Sequence, residues 1–310
     1  MIPIILFIYS RPEYTLQTLE ALTQNPEARH SDLYVFADGA KAMATAEQLQ
    51  KIQEARAVVR SKQWCKTLTV FESEKNKGLA NSIIYGVTEI LKTHDKAIVL
   101  EDDLMLSSHF LSFMNDALNT FANDEKVGGI GASNYFCPPE VVKENFFLRT
   151  PDTYGWGIYR RSWQHFNGDS KFLLKEIEMR GWEKRLNMES SINLMRMMRE
   201  QSIGKVDSWA VRWCASALLN DLLFFYPHTA MARHEGFAGG TNFTGHEQGH
   251  DEYVILAEQK NDVTHIPLIE NKIALREYIK HHKKTNGLWA RGVSTLKRFL
   301  RSMKNQATSK

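Results

Sequence analysis

The sequence predicts an α/β fold with a mostly parallel, Rossmann-like central sheet, helices on both faces, an irregular second half and a C-terminal amphipathic helix. Two observations carry this. Over residues 1–135 short β-branched or aromatic runs alternate with longer runs at helical period, the pattern of a parallel sheet covered on both faces. Three of the predicted strands end in polar clusters, where open α/β sheets bind ligands. With 310 residues, 43% of them hydrophobic, the chain has the material for one large domain or two small ones.

Ile4 to Tyr9 is an apolar strand that stops at Ser10-Arg11-Pro12, where proline suits a first helical turn. Leu16, Leu19 and Leu22 continue at helical spacing. Leu33 to Ala37 is a second strand, ending at Asp38-Gly39, and residues 45–61 form a helix. Leu68 to Phe71 is a third strand. Leu79 to Leu91 is a helix with Ile83, Ile84, Val87, Ile90 and Leu91 on one side. Ala97 to Leu100 is a fourth strand running into Glu101-Asp102-Asp103. A helix from Phe110 to Phe121 and a strand from Val127 to Ile130 complete this half.

Residues 136–279 are less regular. An edge strand is expected at Phe146 to Arg149, one or two helices over 170–201, a helix from Asp207 to Leu219 and a strand from Leu222 to Tyr226. Residues 234–250, rich in Gly, His, Thr and Asn, read as a long functional loop or lid. Residues 280–310 form a basic tail with nine Lys or Arg and no Asp or Glu. Since the whole chain carries +3, residues 1–279 carry −6. Over 287–304 Leu288, Trp289, Val293, Leu296, Phe299, Leu300 and Met303 share a helical face opposite most of the basic residues. That pattern suits a helix lying in a membrane interface, with docking on the body as the alternative. An anionic membrane surface is preferred over nucleic acid as the tail's partner.

Cys65, Cys137 and Cys214 are far apart and make no CxxC pair, which points away from zinc or a disulfide framework and towards a reducing compartment. The apolar N-terminal run is short and lacks a basic flank, so it reads as a strand rather than a signal peptide. The expected location is the cytoplasm, with the tail as a contact to the inner face of the membrane.

Glu101, Asp102 and Asp103 repel one another unless a cation intervenes, and carboxylate oxygens suit Mn²⁺ or Mg²⁺ shared with substrate phosphates. The triplet's alternative is helix capping. Asp38 either makes an ordinary turn or accepts the imide hydrogen of a base such as uracil. Arg11 and Lys77 are surface cations or partners of a diphosphate. Tyr9 belongs to the same strand-end cluster. Trp156, between Gly155 and Gly157, is core or a face for a sugar ring. Asp207 is a helix cap or a general base. Among His228, His234, His246 and His250 no zinc-type spacing occurs, but one of them is a candidate to complete a metal shell.

In order along the chain, YSRPEYTLQTLEAL, VFADG, NKGLANSI and VLEDDLMLSSHFLSFM resemble the GT-A-fold glycosyltransferases of family 2 type. The similarity is greatest to the N-acetylglucosaminyltransferase I group and its bacterial relatives, over residues 3–245. The resemblance implies a metal-dependent, inverting transfer of a hexose or N-acetylhexosamine from a nucleotide-sugar, most simply a UDP-sugar, to a glycan or lipid-linked glycan. Surface polysaccharide or lipooligosaccharide synthesis is the implied setting. It assigns the metal to Asp103, in a DXD-like element, and the donor's ribose and sugar to Glu101 and Asp102. Asp38 would meet the base, and Arg11, with Tyr9 and Lys77, the nucleotide and diphosphate. The loop facing donor and acceptor falls at Trp156, and proton abstraction at Asp207. Residues 1–135 would then bind the nucleotide-sugar, and 136–279 would supply the acceptor and catalytic half. One departure is clear: where relatives carry Gly-Phe-Asp-Gly-Ser-Gly-Thr-His, this chain reads GFAGGTN, with Ala238 and Asn242 at the Asp and His positions. Two rival functions are a sugar-phosphate nucleotidyltransferase, disfavoured because YSRPEY lacks a glycine-rich loop, and a non-catalytic glycan-binding protein on the same fold.

Overall fold

The computed structural model describes residues 1–235 and 254–286. Its first half is a run of parallel strands joined by helices: β1 (Ile4–Ile8), α1 (Pro12–Thr23), β2 (Asp32–Ala37), α2 (Ala46–Arg60), β3 (Thr67–Glu72), α3 (Leu79–Leu91) and β4 (Lys96–Glu101). Next along the chain are β5 (Leu104–Leu106), α4 (Phe110–Thr120), β6 (Val127–Ile130), β7 (Phe146–Leu148), β8 (Trp156–Tyr159) and the single turn α5 (Arg160–Trp163). The remainder comprises α6 (Ser170–Met179), α7 (Glu183–Leu186), α8 (Leu194–Ser202), α9 (Trp209–Leu219), β9 (Leu223–Tyr226), β10 (Ala232–His234) and α10 (Lys272–Asn286).

One eight-stranded sheet runs in the order β3-β2-β1-β4-β8-β6-β9-β7. β1 to β4 are mutually parallel, β8 opposes both β4 and β6, and β7 opposes β9. The sheet is therefore mostly parallel, as expected, and spans both halves of the chain. Strand alternation sorts the side chains. Ile4, Leu6 and Ile8 join Leu33, Val35, Ile98 and Leu100 under α1, α2 and α4. Ile5, Phe7, Phe36, Ala97 and Val99 face α3 and α9. Leu6 has no exposed surface, so Leu6→Ala would cost ~2–5 kcal/mol.

Several elements depart from expectation. The helical stretch 170–201 divides into α6, α7 and α8. α9 begins at Trp209, because Ser208 is the cap: its hydroxyl accepts from the Val211 N–H at 3.3 Å. Asp207 thus lies outside the helix it was expected to start. β8 was not foreseen; the glycines around Trp156 suggested close approach of a ligand. They serve the protein's own packing instead. Gly155 takes a left-handed turn at φ 71°, and a Cβ on Gly157 would stand 2.9 Å from Leu118. α10 was not foreseen either, and it runs through the boundary expected between residues 279 and 280, with Ala274 and Tyr278 buried in the core.

The three cysteines are free thiols, as their spacing suggested. Burial pushes Cys65 and Cys214 up to about 12 and Cys137 up to about 11. No helix among the described residues is long and apolar enough to cross a membrane. The amphipathic segment 287–304, most of the loop 234–250, and Ala238, Asn242, His246 and His250 lie outside the described residues.

Candidate functional site

β1 and β4 are neighbours, with Phe7 set against Glu101, so the residues just beyond each strand meet at one edge. Arg11 is fixed there by the first turn of α1: its carbonyl accepts from the Thr15 N–H at 2.9 Å and the Thr15 hydroxyl at 2.8 Å. Two residues, Asp102 and Asp103, join β4 to β5. Thr18 secures the far side by donating to the Leu104 carbonyl at 2.9 Å and accepting from the Leu104 N–H at 3.1 Å. β10 pairs with β5 and brings His234 opposite Leu104.

The result is a compact ionic cluster. Arg11 Nη2 lies 2.8 Å from Asp102 Oδ1, and Nη1 lies 2.6 Å from Asp103 Oδ2. The Tyr9 N–H donates to Asp102 Oδ2 at 3.2 Å. His234 Nε2 lies 3.0 Å from the same Asp103 Oδ2 that Arg11 holds. The two aspartate side chains are 5% exposed and Arg11 25%, so this is a nearly dry ion cluster rather than a surface pair.

Burial pushes the Glu101 carboxyl up to about 8, with Asp103 and Asp102 adding repulsion. It pushes Asp102 up to about 6, against the opposing pull of Arg11. Burial works the same way on Asp103, but the His234 hydrogen bond and charge, together with Arg11, outweigh it and hold this carboxyl below its ordinary value. Arg11 is buried too, yet its acidic neighbours raise its pKa further and keep it a cation. Asp103 is thus the carboxylate most firmly ionised.

Asp103 Oδ1 is buried and has no hydrogen-bond partner among the described residues. A buried carboxylate oxygen without a partner costs ~1–3 kcal/mol or more, a cost that a bound cation would remove. Among the described residues no three His, Cys, Asp or Glu side chains are grouped to hold a metal by themselves. A hard cation such as Mg²⁺ or Mn²⁺ commonly takes one or two carboxylates and completes its shell with water and substrate phosphates. Asp103 fits such a cation, with His234 beside it. Of the two sequence-proposed histidines among the described residues, His234 is at the acids; His228 lies just beyond β9, and its N–H donates to Asn145 Oδ1 at 3.1 Å.

Asp38 lies just after β2 on the same edge, one strand beyond β1. Its carboxylate is committed to the loop before α3: Oδ1 accepts from the N–H of Gly39 and Lys77 at 2.8 Å each, and Oδ2 from Asn76 Nδ2 at 2.9 Å and the Gly78 N–H at 3.0 Å. A Cβ on Gly39 would stand 2.5 Å from the Lys75 backbone, which explains the glycine. Asp38 therefore shapes the 76–78 turn, and each of its carboxylate oxygens already accepts two hydrogen bonds. Lys77 is exposed, with Nζ 4.0 Å from the centre of the Tyr85 ring.

Trp156 corrects the sequence reading. It is 3% exposed, pairs with Val99 in the sheet and stacks on Trp209 at 5.1 Å, so it offers no face to a sugar. Asp207 is two residues before Trp209. Its side chain is 53% exposed and is held through Oδ1 by Arg212 Nη2 at 2.8 Å. No hydrogen bond or ion pair among the described residues joins it to the β4 acids.

Sequence reasoning missed Asp152, Tyr135 and Tyr154. Asp152 is buried and joins two loops at the same edge. Its Oδ2 accepts from the Ala132 and Ser133 N–H groups at 2.9 and 2.7 Å; Oδ1 accepts from the Ser133 hydroxyl at 2.8 Å and the Thr153 and Tyr154 N–H groups at 2.7 and 3.1 Å. This sets Tyr154 5.2 Å from the His234 ring and 6.2 Å from Tyr135, which also meets His281 of α10 at 5.4 Å. The PDTYG run signals a turn, but no local pattern reveals its distant partners at Ala132 and Ser133.

No family model matches the chain, and no curated protein matches it. Solved structures give loose likenesses. The apo form of mouse xyloside xylosyltransferase 1 is 11% identical, with 72% of this chain and 83% of that one covered at a TM-score of 0.38. An active-site variant of LgtC is 9% identical, with 70% of each chain covered at 0.37. A putative nucleotide-diphospho-sugar transferase from Desulfovibrio desulfuricans G20 is 13% identical, with 53% of this chain and 67% of that one covered at 0.32. Superpositions this loose do not bear on which reaction the chain performs.

Proposed function

We propose that the chain is a GT-A-type glycosyltransferase that moves a sugar from a nucleoside diphosphate, with UDP as the expected carrier, to a glycan hydroxyl with inversion. One observation carries this reading: Asp102 and Asp103, at the end of a central parallel strand, are clasped by Arg11 from the neighbouring strand and by His234. A buried acidic pair beside a basic clasp is suited to a cation and an anion together, which is what a metal–diphosphate presents.

Asp103 would hold Mn²⁺ or Mg²⁺ through its unpartnered Oδ1, with His234 beside it. When bound, such a cation supplies charge neutralisation for the departing diphosphate. Glu101 and Asp102 face the donor's ribose and sugar, and the 76–78 turn held by Asp38 faces the base. Lys77 and Arg11 lie towards the diphosphate, and Tyr9 lines the strand end. The acceptor is met by Tyr135 and Tyr154, half-buried rings that take the role expected of Trp156. Asp207 takes the acceptor proton at Oδ2 while Arg212 steadies Oδ1, and Trp156, stacked on Trp209, positions the start of α9. The tail beyond residue 286 would bring the enzyme to a membrane-borne glycan in surface polysaccharide synthesis.

The test is a thermal-shift screen of nucleotide-sugars with Mn²⁺, followed by UDP-release measurements. A ligand that binds the folded form raises apparent stability, by about 2.7 kcal/mol at a hundred times its Kd. The wild type should respond to a UDP-sugar with Mn²⁺ present, and Asp103→Ala should lose that dependence. A metal-dependent shift that survives in Asp103→Ala would remove the metal assignment, and release of pyrophosphate in place of UDP would favour a nucleotidyltransferase.

A further inference from the structure

Arg11 has a second property that its role near a diphosphate does not require. Its guanidinium spans two different carboxylates, at 2.8 Å to Asp102 and 2.6 Å to Asp103, inside a cluster whose acidic side chains are 5% exposed. Two N–H···O contacts to separate acids fix this planar group more rigidly than a single ion pair would. The backbone on either side is anchored as well, by Thr15 on the Arg11 carbonyl and by Tyr9 on Asp102. The site is therefore already neutralised in part before any ligand arrives. We infer that Arg11 is a resident counter-ion that keeps a bare divalent cation off Asp103 and yields only when an anionic donor arrives to receive its guanidinium.

A cation bound at Asp103 Oδ1 would sit on the same carboxylate as Arg11 Nη1, in a setting with little water to screen the repulsion. Withdrawing the guanidinium relieves that repulsion but leaves Asp102 without its strongest partner. The exchange becomes favourable when a diphosphate supplies the anion for Arg11 and oxygen ligands for the metal. Cation and donor then bind with positive coupling, and linkage makes the coupling reciprocal. This inference rests on the proposed donor reading, but its test separates the two.

The experiment measures Mn²⁺ binding to the full chain by electron paramagnetic resonance, with and without UDP, for the wild type, Arg11→Met and Arg11→Lys. The wild type is expected to bind Mn²⁺ weakly alone and at least about tenfold more tightly with UDP, within the usual range of coupling between sites. Arg11→Met should bind Mn²⁺ alone about tenfold more tightly than the wild type, with the effect of UDP correspondingly reduced. Arg11→Lys keeps the charge but cannot bridge both acids, so it should show a smaller gain of the same sign. It serves as the test if Arg11→Met does not fold, which thermal unfolding reports. Unchanged or weaker Mn²⁺ binding in the variants, with coupling intact in the wild type, would overturn the counter-ion role and leave the donor reading standing. Tighter Mn²⁺ binding in the variants with no effect of UDP in any form would keep the counter-ion role and remove the donor reading. No Mn²⁺ bound by any form would end both.

Discussion

The two sides of the sheet meet the same edge with different chemistry. From β3 to β4 the strands are parallel, and the residues at and just past their C-terminal ends are charged: Arg11, Asp38, Glu101, Asp102 and Asp103. From β8 to β7 the strand directions are mixed, and the edge carries Tyr135 and Tyr154 above a core that includes Trp156, Trp163, Trp209 and Trp213. The join falls between β4 and β8, the first antiparallel pairing in the sheet order. A charged wall thus stands beside an aromatic one, and on the proposed reading the first would meet a diphosphate and the second a sugar face.

The difference in strand direction also decides what the sequence reveals. In a parallel sheet built from strand–helix units, every strand points its C-terminus the same way, so the polar residues after three strands could be placed together from local pattern alone. Arg11 beside Asp102 and Asp103 was legible for that reason. The contact itself was not: in the structure Arg11 neutralises the acids. In the mixed half the site depends on pairings between distant segments, β6 with β8 and β5 with β10. No periodicity encodes these. Hence nothing local separates His234 from His228, His246 and His250 or singles out Tyr154, and the glycines around Trp156 suggest a ligand-facing role for a residue that is core. Asp38 shows a subtler limit. Its place at the strand end was legible, but its four hydrogen bonds to residues 39 and 76–78 were not.

The sharpest way to break the comparison is to remove the charge from its acidic side. Asp103→Ala takes away the carboxylate proposed to hold the cation. Lewis-acid stabilisation is worth several kcal/mol, so sugar transfer should fall by about 10²–10³-fold while the fold persists. UDP release under saturating Mn²⁺ measures it; a loss under about tenfold would mean that the acids do not organise the chemistry.

On the mixed side the largest effect should be structural. Asp152→Ala strands the buried N–H groups of Ala132 and Ser133 and the half-buried one of Thr153, and each unsatisfied buried donor costs ~1–3 kcal/mol. Partial relaxation brings the expected loss to about 3 kcal/mol in urea unfolding. A variant as stable as the wild type would show that this edge does not depend on Asp152.

A third measurement probes the charged half through pH. Glu101 is raised from its ordinary 4.5 to about 8, so between these values the folded chain binds a proton that the unfolded chain has released. Stability from this group is therefore greatest at low pH and declines as pH rises towards 8. One proton sets the ceiling on the slope at ~1.4 kcal/mol per pH unit. Asp102 contributes with the same sign up to about 6, and Asp103, held low, acts in the opposite sense only at acid pH. Glu101→Gln should thus flatten the fall in metal-free stability between about pH 6 and 8. Parallel unfolding curves for both proteins would mean that Glu101 is ionised throughout.

The smallest effect tests whether the two halves are energetically joined. Tyr154 reaches the acids through the His234 ring, 5.2 Å away, and His234 lies 3.0 Å from Asp103. An aromatic pair of this kind is worth ~0.5–1.5 kcal/mol, so Tyr154→Leu should weaken Mn²⁺ binding in the presence of UDP by about threefold to tenfold. Tyr154→Phe keeps the ring and should stay close to the wild type. If Leu and Phe behave alike, the Tyr154 ring does not orient His234, and the aromatic wall does not tune the metal. If Leu weakens binding and Phe does not, the ring orders a ligand it never touches. The mixed half would then contribute to the charged site through packing, as the buried neighbours of metal ligands do elsewhere.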